Sequence, residues 1–368
     1  MRGADAELRD NPKAVGLTCR HKGVTAERWQ MRFGLFGGAR TDPGEQASDS
    51  RIYSDYIDYI CEAEALGFCS VFLVEHHFTG FGQISATINF LTYLAAKTST
   101  IRLGTAVLVL PWHNPALLAE QAATLDLLSN GRFDFGIGKG YRWGEFHGFC
   151  MPMTEADERY QETAEFLRKA WTTPGRFSHH GRFWHYEDVV IEPAPVQKPH
   201  PPFWVGAASP NSIRYAADQG YNLLLGQGGG PETVAEGVSI YRRAIEARGR
   251  TFDPSTVGLT RALHIAMNES EREAARELRA KFLAQVEQLS LSPTGEAPTL
   301  GRPRKPLTQA ERHALTERDA LIGRPDEIIS RIKRLQEGGV EYIMVIDLAG
   351  RLDHLRLFAR EVMPAFAV

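Results

Sequence analysis

The sequence predicts an α/β chain organised around one parallel sheet. From Met31 onward, short β-branched or aromatic runs alternate with amphipathic helical patterns. Parallel strands need a crossover, usually helical, to bring the chain back to the starting edge. The alternation repeats about eight times, as a (β/α)8 barrel requires. A doubly wound open sheet would alternate in the same way, so periodicity leaves both architectures open.

Strands are expected near 32–37, 69–74, 101–109, 133–138, 203–206, 222–226, 258–267 and 341–347. Helices should fill about 49–66, 84–98, 115–129, 155–172, 209–219, 231–248, 270–289 and 325–338, with a last one near 351–365. Ser129-Asn130-Gly131 ends the third helix with residues that tolerate the left-handed conformation. Pro231 opens a helix where its missing N–H costs nothing. Gly220 and Gly338-Gly339 stop helices before strands. Two insertions interrupt the pattern. Residues 176–202 read as a small hairpin followed by an extended strap. A second insertion lies near 286–320, and its polar, Pro-rich part from 290 reads as a weakly structured lid, too long for an ordinary loop.

The 368 residues are 43% apolar, ample for a core, and carry a net charge of -3. That charge predicts no polyanion surface, hence no nucleic-acid partner. No segment reaches the roughly 18 to 20 apolar residues of a membrane span. Four cysteines, Cys19, Cys61, Cys69 and Cys150, follow neither metal nor disulfide spacing, and the plain reading is a reduced cytoplasmic chain. Residues 1–30 are charged and lack a secretory apolar core, so they read as a flexible extension ahead of one domain, 31–368.

In a barrel the site gathers at the C-terminal strand ends. The run Val74-Glu75-His76-His77-Phe78-Thr79 closes the second strand. Neighbouring strand residues point to opposite faces, so one of the two histidines looks into the mouth. His76 is the first candidate for proton transfer, with an ordinary pKa near 6.5 suited to neutral pH. A strand cap by hydrogen bonding is the bland alternative, and a metal hydrolase built on His76 and His77 lacks partner carboxylates. Small residues at Gly104-Thr105-Ala106-Val107 allow a planar ring close to the backbone, or simply core packing. The glycines of Gly136-x-Gly138-x-Gly140 lack dinucleotide spacing, and they free Lys139, with Gly140 and Tyr141, to meet a phosphate. The turn from Gly206 into a helix offers free N–H groups at Ala208 and Ser209, with Asn211 and Ser212 alongside, although Ser209 and Pro210 also suit ordinary capping. Phe81, Trp112, Asn114, Trp143 and Phe146 would line a largely apolar mouth. Glu145 either assists proton transfer or anchors its loop. Asp126 and Arg132 read as a structural ion pair at the closed end.

Glu75-His76-His77-Phe78-Thr79 and Leu128-Ser129-Asn130-Gly131-Arg132-Phe133-Asp134-Phe135-Gly136-Ile137 resemble the bacterial luciferase-like family of flavin-dependent monooxygenases, from about Met31 to the C-terminus. The resemblance implies a (β/α)8 barrel, with the 286–320 insertion as a mobile loop over the site. It implies reduced FMN and O2 as co-reactants, a flavin C4a-peroxide, and oxygenation of a small hydrophobic organic substrate. It places His76 at the flavin's reactive edge and the ring beside a cis peptide falling at Ala106-Val107. The phosphate would meet Lys139 and the 206–212 turn. A separate NAD(P)H:FMN reductase would supply FMNH2, and a homodimer would form through the second and third helices. Departures from luciferase are Gly138 for a cysteine, Lys139 for an arginine, Ala207 for an acid and Asn114 for a histidine. The rival readings are an F420-dependent hydride-transfer enzyme and a flavin-binding protein without turnover.

Overall fold

The structure, a computed structural model, describes residues 31–39, 49–80, 84–292, 306–347 and 350–367. Eight strands carry the fold: β1 (Arg32–Gly37), β2 (Ser70–Leu73), β3 (Arg102–Thr105), β4 (Phe133–Gly138), β5 (Phe203–Gly206), β6 (Asn222–Leu225), β7 (Val257–Ile265) and β8 (Tyr342–Asp347). They pair in parallel in chain order, and β8 returns to β1 with Arg32 opposite Tyr342 and Leu35 opposite Val345. That closing pair decides for the (β/α)8 barrel against the open sheet.

The covering helices are α1 (Asp49–Ala65), α2 (Thr87–Lys97), α3 (Pro115–Leu128), α4 (Ala156–Thr172), α5 (Pro210–Gln219), α6 (Pro231–Glu246), α7 (Pro325–Glu337) and α8 (Leu352–Glu361). Proline opens α3, α5, α6 and α7, where no intrahelical donor is lost. Helices pack on the outer strand faces, as Phe33 does against Phe358 and Phe366. The barrel interior is filled separately by Phe72, Trp204, Leu224, Tyr342 and Met344. At the N-terminal strand ends Asp134 is held by Arg102 at 2.7 and 2.9 Å and by Trp204 Nε1 at 3.1 Å, so this end is plugged and the opposite end is left for chemistry. Between β3 and β4 the backbones run so close that a Cβ on Gly136 would sit 1.7 Å from the Thr105 carbonyl oxygen.

Five sequence expectations change. The third strand is shorter than 101–109: it stops at Thr105, and Leu108–Val109 forms a separate short pairing with β4. The helix near 270–289 (Glu269–Leu289) is not one of the eight covering helices. It belongs to the insertion after β7 and packs against a second helix, Gln309–Asp319, where a weakly structured stretch was expected. Thr308 and Glu311 form a capping box that starts this second helix. A short helix, Trp143–Gly148, follows β4. Asp126 and Arg132 do not pair: Asp126 accepts from Gln197, and Arg132 caps the end of α2 through the Ala95 and Thr98 carbonyls. The 176–202 insertion is the expected hairpin, Phe177–His180 against His185–Val189, followed by a strap with cis bonds before Pro193 and Pro199. The 1–30 extension lies outside the described residues.

Candidate active site

A cavity of about 540 Å³ opens at the C-terminal strand ends. Its walls come from every strand: Phe36 and Gly37 from β1, Val74 to His76 after β2, Ala106 and Val107 after β3, Ile137 to Arg142 at the end of β4, Gly206 to Ala208 after β5, Leu224 to Gln227 at β6, Thr260 on β7 and Ile346 on β8. Phe282 and Val286 of the insertion helix Glu269–Leu289 complete the lining. A volume of this size suits a cofactor-sized ligand.

The two histidines diverge, although both lie in the loop beyond the end of β2 and not in the strand itself. His76 lines the cavity and shares a 2.9 Å hydrogen bond between its Nδ1 and Glu145 Oε1. The same oxygen accepts the His77 backbone N–H at 3.1 Å. The His77 ring turns away, meeting Glu75 at 2.8 Å and packing edge-on to Trp112 and Phe149. Burial lowers the His76 pKa from its ordinary value; the Glu145 hydrogen bond opposes this, and the Arg142 charge adds to it.

Glu75 is the hub behind this wall. Only 2% exposed, it meets Val109 N at 2.8 Å, Trp112 Nε1 at 2.9 Å, His77 Nε2 at 2.8 Å and His113 Nε2 at 2.9 Å. Burial alone would raise its pKa. The His113, His77 and Trp112 contacts outweigh burial and hold the carboxyl at about 2.

The Ala106-Val107 peptide is cis and lies in the cavity wall. Lys139, Gly140, Tyr141 and Ala208 also line the cavity, with Lys139 Nζ 2.7 Å from Asp157 Oδ1. Ser209, Asn211 and Ser212 sit beyond the wall at the start of α5, where Ser209 and Ser212 form a capping box. Four expected mouth residues do other work. Asn114 caps α3 and accepts from the Tyr186 hydroxyl at 3.0 Å. Trp112 is tied to Glu75 and packs edge-on to Phe146, which is itself buried. Trp143 stacks on His147 with centroids 4.4 Å apart. None of these four lines the cavity. Phe81 lies outside the described residues.

The strand-end rule places the 139–145 stretch, which includes Arg142, and Gln227 at the mouth, and Arg142 and Gln227 both line the cavity. Sequence reasoning missed Thr260, Phe282 and Val286, which depend on how the β7 end and the insertion come together. Among the described residues no cluster suits a metal ion, and no helix is long and apolar enough to cross a membrane. Among the described residues Cys61, Cys69 and Cys150 form no disulfide.

A closed barrel with a roomy mouth, an imidazole–carboxylate pair and small residues at one strand end defines a (β/α)8 protein with a cofactor-sized candidate site. The family model for luciferase-like monooxygenases matches residues 31–342. The chain therefore belongs to the luciferase-like monooxygenase family, and so to the flavin-dependent monooxygenases. It is 28% identical to a flavin-dependent trigonelline monooxygenase oxygenase component of Acinetobacter baylyi, covering 92% of this chain and 96% of that one. It is 30% identical to an FMNH2-dependent dimethylsulfone monooxygenase of Pseudomonas putida over 74% of this chain and 76% of that protein. The structure resembles monooxygenase RslO1 from Streptomyces bottropensis, with a TM-score of 0.78 and 26% identity over 92% of this chain and all of that one. An F420-dependent glucose-6-phosphate dehydrogenase of Kineococcus radiotolerans is 29% identical over 60% of this chain and 66% of its own length.

Proposed function

We propose that the protein uses reduced FMN and O2 to insert one oxygen atom into a small, largely apolar organic substrate, with the second oxygen leaving as water. The observation that carries this reading is the cavity itself. One wall combines the small, close-packed Ala106-Val107 and Gly138 with the His76–Glu145 pair, and the same mouth holds Lys139 beside the turn into α5. These residues fit FMN: an apolar floor for the ring, and a cation beside the start of α5 for the phosphate.

In this reading Ala106, Val107 and Ile137 hold the ring. Lys139, Gly140, Tyr141, Ala208 and Ser209 hold the phosphate arm, with Asn211 and Ser212 steadying the turn. Reduced FMN, when bound, supplies the two electrons that activate oxygen. His76 holds or moves a proton at Nε2. Phe282 and Val286, with the rest of the apolar lining, exclude water, which protects reactive oxygen species from wasteful breakdown. A separate NAD(P)H:FMN reductase supplies FMNH2, in the cytoplasm. The protein acts as a homodimer through α2 and α3, which expose Tyr93, Leu117, Leu127 and Leu128.

The test is anaerobic titration with reduced FMN and, separately, reduced F420, followed by labelled O2 and a panel of aldehydes, ketones and terpenes. Binding of reduced FMN and one labelled oxygen in a product support the proposal. Binding of F420 alone moves the protein to hydride transfer. FMN binding without any turnover, whatever the panel, marks a flavin-binding protein.

A further inference from the structure

We propose that Arg142 is a positioning residue for His76, acting through Glu145 to keep the imidazole a neutral base with its Nε2 available to the cavity. The inference rests on the monooxygenase reading only for its consequence in turnover, because the arrangement itself belongs to the protein alone.

Glu145 Oε1 is the meeting point of three groups. His76 Nδ1 lies 2.9 Å from it, the His77 backbone N–H donates at 3.1 Å, and the Arg142 guanidinium approaches to 3.8 Å. Arg142 and Glu145 are each 3% exposed. A carboxylate this deeply buried needs a cation nearby, and Arg142 provides it from one turn away on the same short helix. The helix itself starts on Arg142, whose carbonyl accepts from the Glu145 N–H at 3.2 Å, so the cation and the acid are held in register. The guanidinium also lies over the Tyr141 ring at 5.7 Å, within cation–π range.

The tautomer follows from donor counting. An ionised carboxylate can only accept, so the proton shared with it sits on His76 Nδ1, and Nε2 keeps its lone pair. His76 lines the cavity, which makes Nε2 the nitrogen available for proton abstraction. The charges facing His76 are Glu145 and Arg142 from the segment after β4, and Glu75 from its own strand end. Burial and Arg142 disfavour the imidazolium, while the two acids favour it. Arg142 thus works against protonation and, by fixing Glu145, against ring rotation.

Two-dimensional NMR of the imidazole nitrogens in flavin-free protein, followed through a pH titration, reads both properties. In the wild type His76 should be the Nδ1–H tautomer and titrate below an ordinary histidine. Arg142→Met should move its midpoint to higher pH and mix the tautomers, while Arg142→Lys, which keeps the charge, should stay near wild type. An unchanged midpoint and tautomer in Arg142→Met would overturn the proposal. So would an Nε2–H tautomer in the wild type, an outcome that needs no variant to fold. With reduced FMN and a turned-over substrate, the acid limb of the pH profile should move with the NMR midpoint. Loss of flavin binding would sink the monooxygenase reading and leave the NMR result standing.

Discussion

The Glu75 carboxylate accepts the Val109 backbone N–H at 2.8 Å, tying the end of β2 to the segment that follows β3. That segment carries the Ala106-Val107 wall of the cavity, so the buried Glu75, itself part of the lining, sets the position of the neighbouring wall.

Replacing Glu75 with Ala should therefore destabilise the protein by about 3 kcal/mol or more, because it strands the donors of Trp112, His77 and His113. Urea unfolding at neutral pH measures this, and a loss below about 1 kcal/mol would remove Glu75 from its hub role. Its folded pKa of about 2 lies beneath the ordinary 4.5, so the stabilisation is present above 4.5 and drains away as pH falls toward 2. The wild type should lose stability across that window more steeply than Glu75→Gln.

For Lys139 the discriminating comparison is FMN against riboflavin, which lacks the phosphate. Lys139→Gln should weaken FMN binding about tenfold, the loss of one charge-assisted contact, and leave riboflavin affinity nearly unchanged. Equal losses for both ligands would mean that Lys139 shapes the cavity without meeting the phosphate.

Phe282 reaches the cavity from the insertion helix, so its truncation should admit water. Phe282→Ala is expected to raise the hydrogen peroxide released per FMNH2 oxidised, with little change in FMN affinity. A peroxide assay that finds wild-type coupling would place the water barrier elsewhere.

Glu145→Gln tests the other half of the His76 pair. The Glu145 hydrogen bond favours the imidazolium, so its neutral replacement should push the His76 midpoint further down, opposite in sign to Arg142→Met. Activity that requires neutral His76 should then persist to lower pH in this variant than in the wild type. A midpoint that rises in Glu145→Gln would reverse the assigned electrostatics.

Leu128, 61% exposed at the end of α3, lies on the flank assigned to dimerisation. Leu128→Glu should halve the sedimenting mass if α3 is the contact. A monomeric wild type, or a variant that stays dimeric, removes that flank from the assembly.

Much of the fold was legible in local pattern. Strands buried on both faces, such as Val71-Phe72-Leu73, read as short unbroken apolar runs, and the prolines and glycines that bound the helices act through their own backbone. The helix Gln309–Asp319 was also written in the chain, as Thr308-x-x-Glu311, but the surrounding prolines drew the reading toward a loop. The site was legible only in part. His76, Lys139 and the Ala106-Val107 segment sit at strand ends, and strand ends meet at one mouth in any such barrel. Asn114 and Trp112 look like lining residues in sequence, yet a helix N-terminus and the Glu75 carboxylate claim their polar groups first.

The sequence by itself determined the alternation of strands and helices, hence a parallel α/β sheet, and the strand-end position of the candidate catalytic histidine, because these follow from periodicity and chain punctuation over a few neighbouring residues. The closure of that sheet into a barrel was decided by the pairing of β8 with β1. Only the tertiary structure decided that His76 meets Glu145, 69 residues away, that Arg142 shares that acid, and that the insertion after β7 brings Phe282 to the cavity. Those contacts arise when β8 closes on β1 and the strand ends are carried together, and no local propensity encodes which distant donor reaches a given buried acceptor.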